Sequence, residues 1–235
     1  MTPRLLRLVQ LVFEFAYSQL IRDWASWQKE NGQAFRSLCS VLEVLSPNSN
    51  EKLTPGNLTR IRLDDVRDMP TVKMPYGNDV AVVHASSGMR RIIALAYFLV
   101  WCWEEHKKAA KLLSENTSNQ VVFLIDEVES HLHPKWQRKI IPALLKVVQS
   151  LISGAEVQVL AVTHSPLVMA SVETQFSELD DAWFDLDLVQ QNNDFKVEFV
   201  KRPFIKLGDF SNWLTSPAFD LKSARSEEAE ELVVV

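Results

Sequence analysis

Apolar residues recur at helical intervals through the first 45 residues. Leu5, Val9, Val12, Phe13, Ala16 and Leu20 alternate with Arg4, Arg7, Gln10 and Glu14, the spacing of an amphipathic helix. Thr2-Pro3 has the form of an N-cap followed by proline at the first helical position. A second amphipathic helix is predicted over 34–45, and Ser46 to Gly56, rich in Asn, Ser and Pro, reads as a polar loop. Short strands are predicted around 58–63 and 79–84, separated by the turn signal Tyr76-Gly77-Asn78-Asp79.

From Ser86 the pattern sharpens. Gly88 to Leu113 predicts one long helix running into the polar loop Ser114–Gln120. Val121–Ile125 is a short continuous apolar run, the mark of a strand buried on both faces. Pro134 to Ile152 predicts a second helix, entered through proline and closed by Ser153-Gly154. Val157–Val162 predicts another buried strand. Strands alternating with helices imply an α/β fold, a parallel sheet with helices on both faces. Ala182–Val189 and Phe195–Val200 flank Gln191-Asn192-Asn193-Asp194 and predict a hairpin, and the acidic tail Ser226–Glu231 reads as helical.

Composition narrows the class. The 235 residues are 47% hydrophobic and 23% charged, which excludes a disordered or fibrous chain. A net charge of -5 argues against a molecule that binds nucleic acid over its whole surface, while leaving room for a local basic patch. Cys39 and Cys102 are the only cysteines and form no CxxC, which fits a reducing compartment and neither a disulfide scaffold nor a zinc ribbon. The apolar run 92–103 is shorter than the ~20 residues a bilayer requires. The N-terminal apolar stretch is interrupted by Gln10 and Glu14 with no cleavage site after it. A cytoplasmic protein without membrane partners is expected.

The candidate chemistry sits where the pattern is sharpest. Val121–Ile125 leads into Asp126-Glu127, placing two carboxylates at the C-terminal edge of a strand, where open α/β sheets bind ligands. In a P-loop ATPase the first such acid holds magnesium and the second polarises the attacking water; a strand ending in solvated acids is the alternative. Val157–Val162 leads in turn into Thr163-His164-Ser165-Pro166, one strand–helix–strand unit later, so His164 is expected at the same edge as a donor to a γ-phosphate. Ser86-Ser87-Gly88-Met89-Arg90-Arg91 opens the long helix, and free N–H groups there suit a phosphate, although a plain serine N-cap reads the same way.

Other features carry weaker readings. His131-x-His133 beside Glu127 and Glu129 lacks the spacing that would complete a zinc site. Trp101, Trp103, Trp136, Trp183 and Trp213 fit core or interface anchors better than a base-stacking surface. Arg90 and Arg91 suit either a phosphate or DNA contact or a salt-bridged helix start. Arg138, Lys139 and Lys146 fit a solvated helix face.

ASSGMRRIIALAYFLVW, VVFLIDEVESHLHPKWQ and VQVLAVTHSP resemble the signature helix, Walker B strand and switch histidine of the ABC/SMC-like AAA ATPases, near the bacterial group related to RecF, the OLD family and the Septu-type ATPase subunits. The resemblance covers about residues 70–232, including GDFSNWLTSPAFDLKSARSEEAE. It implies a partial ABC-type P-loop NTPase fold, with residues 1–70 a helical arm and linking strand and 71–235 the C-terminal ATPase lobe. Its cofactors would be ATP and Mg2+. By position it makes Asp126 the magnesium acid, Glu127 the hydrolytic base and His164 the switch. Ser86, Ser87 and Gly88, with Arg90, become the signature facing a nucleotide on an opposite protomer, and Glu129 to His133 the D-loop.

The sequence departs from that family in one respect. Its six glycines, Gly32, Gly56, Gly77, Gly88, Gly154 and Gly208, include none followed by lysine, so GxxxxGK[ST] is absent. The family's order of motifs places Met1 inside the helical insertion, after the Walker A loop. Two expectations result. In one, the chain is an ATPase half-enzyme inactive alone, completed by a P-loop-bearing N-terminal polypeptide or second ATPase protomer, in a DNA-linked or anti-phage complex with DNA or a nuclease subunit as a further partner. In the other, it is a catalytically inactive lobe acting as an interaction or regulatory protein.

Overall fold

The predicted N-terminal helices are α1 (Phe13–Glu30) and α2 (Gln33–Val44) in a computed structural model that describes residues 13–191, 194–219 and 221–226. The Thr2-Pro3 cap, the apolar positions before Phe13 and most of the acidic tail lie outside the described residues. The chain forms two compact units, Met1–Thr163 and His164–Val235.

In the first unit the apolar stripes of α1 and α2 meet α3 (Ser87–Leu112). Leu20, Trp24, Leu38, Val41, Leu42, Ile93 and Tyr97 are almost completely buried. Burying one such side chain contributes about 1.5–3 kcal/mol, which makes this three-helix contact the main hydrophobic store of the unit. Its polar atoms are paired: Tyr97 Oη donates to Asp23 at 2.8 Å, and the Trp27 and Tyr97 rings stack with centroids 5.5 Å apart.

The connection from α2 to α3 holds a small antiparallel sheet, β1 (Thr54–Pro55), β2 (Thr71–Lys73) and β3 (Asp79–Ala81). The predicted turn at 76–79 joins β2 to β3. No strand forms over 58–63: Leu63 is fully exposed, and the segment touches the sheet region only through the isolated Thr59↔Met69 bridge. Ile61 and Leu63 alternate with charges and are exposed, while Leu58 is half-buried. Of the strand predicted over 79–84, Asp79–Ala81 is β3 and Val82–His84 is a turn of 3-10 helix.

β4 (Gln120–Ile125) and β5 (Glu156–Ala161) pair in parallel, from Gln120↔Glu156 to Ile125↔Ala161. Parallel strands need a long crossover, and α4 (Pro134–Gln137) and α5 (Ile140–Leu151) supply it. The sequence predicts one helix over 134–152, and two form. Pro142 has no N–H to bond the Arg138 carbonyl, and its ring collides with that carbonyl in a continuous helix, so the chain breaks at 138–139. Gly154, at φ +68°, closes the segment as predicted.

The expectation of strands buried on both faces is not met. Val121 and Phe123 are buried, and they line a small apolar cavity together with Leu99 and Cys102 of α3 and Val148 of α5. On the opposite face Leu124, Leu160 and Val162 are 42%, 48% and 47% exposed, and no helix of the first unit covers them. An apolar run reports that both faces are apolar; it does not report what covers each.

The second unit contains α6 (Pro166–Val172), the predicted hairpin β6 (Trp183–Gln191) and β7 (Asp194–Arg202), and α7 (Phe210–Leu214). One hairpin face gathers Phe184, Leu186, Leu188, Val197 and Phe199, all more than 40% exposed. On the other face Arg202 reaches Asp185 and Asp187 at 3.5 and 2.9 Å. Glu173, just after α6, is buried and accepts from Leu207 N, Gly208 N and Trp213 Nε1. The described residues contain no helix long and apolar enough to cross a membrane.

Candidate functional site

Two segments of the first unit converge at the C-terminal end of the parallel strands. The first is the start of α3. Ser86 is its N-cap, with the hydroxyl accepting from Met89 N at 3.3 Å, so the capping reading holds for Ser86 itself. Ser87 is exposed at the first helical position, and Arg90 is exposed one residue before the half-buried Arg91.

The second is the loop after β4. Asp126 and Glu127 are both exposed where the strand ends, and Asp126 has no hydrogen-bond or ion-pair partner among the described residues. Glu127 has φ +46°, a left-handed conformation that side chains with a Cβ rarely adopt. The loop is tied to the end of β5: Val162 N donates to Ile125 O at 2.9 Å, and Val128 N to Val162 O at 3.4 Å. Thr163 Oγ1 donates to Glu129 at 2.6 Å. Ser130 N returns to Glu127 O at 2.9 Å and Leu132 N to Glu129 O at 2.8 Å. His131, at φ +61°, completes the bend.

Gly88 is where the two segments meet. A Cβ on it would lie 2.9 Å from the His131 carbonyl oxygen, so glycine permits the approach. One helical turn later, Arg91 Nη2 donates to the Glu127 carbonyl at 2.9 Å. Burial holds the Arg91 guanidinium below its usual pKa, opposed by the nearby Glu127 and Glu129 carboxylates. The sequence points to Arg90 as the site arginine and leaves the role of Arg91 open; the structure joins Arg91 to the loop. The available signal was the i, i+3 relation between Gly88 and Arg91, which puts them on one helix face.

His164 stands one residue past Thr163, exposed, at the start of the second unit. Ser165 caps α6, its hydroxyl accepting from Val168 N at 3.4 Å, with Pro166 at the first helical position. His133 is the N-cap of α4, with Nδ1 accepting from Lys135 N at 3.2 Å. No group of three or more His, Cys, Asp or Glu side chains is arranged for a metal among the described residues. Magnesium asks for less: one or two carboxylates, with water and phosphate oxygens completing the shell. The unpartnered Asp126 carboxylate at the strand edge fits that requirement.

One further residue departs from its expected place, and its neighbour Trp136 meets the expectation of an anchor. The sequence places Lys139 on a solvated helix face, yet its Nζ donates to Ser46 O and Pro47 O at 3.0 and 3.1 Å. Trp136 joins it as an anchor, with Nε1 donating to Leu45 O at 2.9 Å.

Residues 3–170 match the family model described as "AAA domain, putative AbiEii toxin, Type IV TA system". The chain belongs to that family. Membership accords with the ABC/SMC-like AAA resemblance of the three motifs, and the parallel β4–β5 pair with its crossover helices is the α/β arrangement expected of such a lobe. The AAA-domain chain is 27% identical over 175 residues to the retron Ec83 probable ATPase of Escherichia coli, covering 73% of this chain and 26% of that protein. It is 29% identical over 121 residues to the retron Vc95 probable ATPase of Vibrio cholerae serotype O1 biovar El Tor, covering 48% and 21%. It thus spans about a quarter of the length of these curated relatives. Among solved structures, the SMC head domain from Thermotoga maritima is 16% identical at a TM-score of 0.39, covering 78% of this chain and 51% of that one. A structure from work on ATP-driven dimerization and DNA stimulated activation of SMC ATPases is 14% identical at a TM-score of 0.42, covering 75% and 88%.

Proposed function

We propose that this chain is the catalytic-acid lobe of an AAA ATPase, acting on ATP with Mg2+ together with a P-loop carried by another polypeptide or by a longer form of the protein. One observation supports this above the rest: the start of α3 and the acidic loop after β4 lie against each other at the C-terminal edge of a parallel strand pair. Ligands of α/β sheets bind at that edge.

In this reading Asp126 holds the cation. When bound, magnesium would neutralise charge on the phosphates and orient them. Glu127 accepts a proton from the attacking water, and its exposed carboxylate is open to that water. Ser87 and the first N–H groups of α3 donate to the terminal phosphate of a nucleotide seated on a facing protomer. His164 supplies a further donor. Glu129, bound to Thr163, joins the acidic loop to the strand that leads into the histidine. Without a phosphate-cradling loop these groups have no oriented substrate, and positioning accounts for much of phosphoryl transfer. The 235-residue chain alone is therefore expected to hydrolyse ATP negligibly, and the resemblance of its motifs to those of Septu-type ATPase subunits supports a setting in an anti-phage complex.

Purification from the native source tests this: a polypeptide bearing GxxxxGK[ST] should co-elute, and the pair should hydrolyse ATP. Tight nucleotide binding and steady turnover by the pure chain would overturn the need for a partner. The uncovered apolar face of Leu124, Leu160 and Val162 favours a second reading, an interaction lobe with no turnover of its own. A partner that binds that face and lacks a P-loop would select it.

A further inference from the structure

Arg91 has no part in that chemistry, yet it is the residue through which α3 holds the acidic loop by a charged hydrogen bond. Consider the peptide that joins Glu127 to Val128. Its carbonyl accepts from Arg91 Nη2 and from Ser130 N, each at 2.9 Å, and its N–H donates to Val162 O at 3.4 Å. That one peptide plane is thus tied to α3, to its own loop and to the end of β5. The orientation of the plane sets the ψ angle of Glu127, whose φ is already left-handed. Such a conformation persists in a residue with a Cβ only where its surroundings over-determine it. Ser130 belongs to the same loop and so anchors it to nothing outside, and the Val162 bond is long. The Arg91 bond is short, charge-assisted and anchored in a 26-residue helix.

We propose that Arg91 is a positioning residue for Glu127: by holding the Glu127 carbonyl, its guanidinium keeps the carboxylate aimed from the strand edge and links that aim to the start of α3. Gly88 makes the link possible, because its lack of a side chain lets the first turn of α3 come close enough for Arg91 to reach. The proposal rests on Glu127 being the base as far as catalysis goes. The clamp on the loop stands apart from that reading.

Hydrogen exchange on the full chain tests the clamp without nucleotide. In R91A, amides between 126 and 133 should exchange about tenfold faster, the size expected for one lost charge-assisted bond. Core amides of α3 and β4 should be unchanged. R91K keeps a donor on a long stem and should restore most of the protection, which a general packing role for the side chain would not predict. Unchanged exchange at 126–133 in R91A, or an equal rise across α3 and β4, would overturn the proposal. Catalytic positioning is read in the hydrolysing complex: R91A should lower kcat by about 10- to 100-fold with little change in KM, since a misaimed group costs turnover rather than binding, and R91K should recover part of it. A kcat equal to wild type would overturn positioning. If the wild-type complex never hydrolyses ATP, the functional reading falls, while the exchange result still decides whether Arg91 clamps the loop.

Discussion

Gly88 and the carbonyl oxygen of His131 are packed so closely that a methyl group on the glycine would lie 2.9 Å from that oxygen. Both sides of the contact are backbone, one at the first turn of α3 and the other in a bend whose His131 is itself at positive φ. Neither can yield by rotating a side chain. Gly88→Ala should therefore push the helix start and the acidic loop apart and cost about 1–3 kcal/mol, as overpacking of tight contacts does. Thermal unfolding should show a midpoint lower by about 2–10 °C for a chain of this size. A G88A protein that melts with the wild type would mean the loop relaxes freely and the two segments are not mechanically joined.

In the second unit, Glu173 gathers three N–H donors: the Leu207 and Gly208 amides at 2.9 and 3.0 Å and the Trp213 indole at 2.6 Å. The carboxylate and the indole are both buried, and the Trp213 ring leans on Phe204, which stacks on Phe176. Glu173→Ala would leave the buried Trp213 indole N–H unsatisfied and turn the Leu207 and Gly208 amides loose towards water, and should cost about 1–3 kcal/mol, the penalty of one buried orphaned donor. Trp213→Phe removes one donor and keeps the ring stack, so its cost should be smaller. Limited proteolysis checks the location: cleavage between 203 and 216 should rise steeply in E173A and modestly in W213F. Equal resistance in both variants and wild type would show that Glu173 does not hold this segment.

Cys102 offers a pH dependence of definite sign. Burial between α3 and the Val121–Phe123 face of β4 pushes its thiol up to about 11, from an ordinary value of 9.0. The folded chain keeps this proton at pH values where the unfolded chain has released it. Its contribution to stability is therefore complete below about pH 9 and is lost as pH rises towards 11. Burial raises Tyr17, to about 12, and Tyr97 in the same direction, so they extend the loss to higher pH. Unfolding midpoints at pH 8 and pH 10.5 should differ, and Cys102→Ala should shrink that difference while leaving part of it from the tyrosines. An identical pH response in C102A would show that the thiol is not what titrates.

Much of this arrangement was legible in the chain, and what escaped has physical causes. The periodic runs of α2 and α3, the apolar run of β4 and the alternating hairpin all carry their own signal, because side-chain spacing follows backbone geometry. Asp126-Glu127 was visible because polar residues end an apolar strand abruptly. The break before α5 was also written in the chain, at Pro142, but the strong apolar period on either side masked it. Coverage of a strand face was not legible, since Leu124 and Val121 are equally apolar and differ only in what packs on them. The separate capping of Ser86 and the choice of Arg91 over Arg90 depended on which helix face turns towards the 126–133 loop. That is a tertiary fact, and Gly88 alone hinted at it.

Glu127 is the residue on which the functional reading turns, and Gln is the change that isolates its chemistry. The amide has the shape of the carboxylate, leaves the bonds of the Glu127–Val128 peptide in place, and cannot accept a proton from water. In the complex that supplies the P-loop, Glu127→Gln should keep ATP affinity while lowering turnover by about 10²–10⁴-fold, the range of general-base catalysis. Nucleotide should then accumulate unhydrolysed in a stable closed dimer, visible by size-exclusion chromatography with ATP. Asp126→Asn should behave differently, weakening the response to Mg2+ before it affects anything else. Ser87→Arg adds bulk and charge at the exposed first position of α3 and should block closure while nucleotide still binds the P-loop side. Turnover that survives E127Q would remove the base assignment, and normal ATP-dependent dimerisation in S87R would remove the signature role of the α3 start. The two failures are independent, because one variant alters a proton acceptor and the other a contact surface.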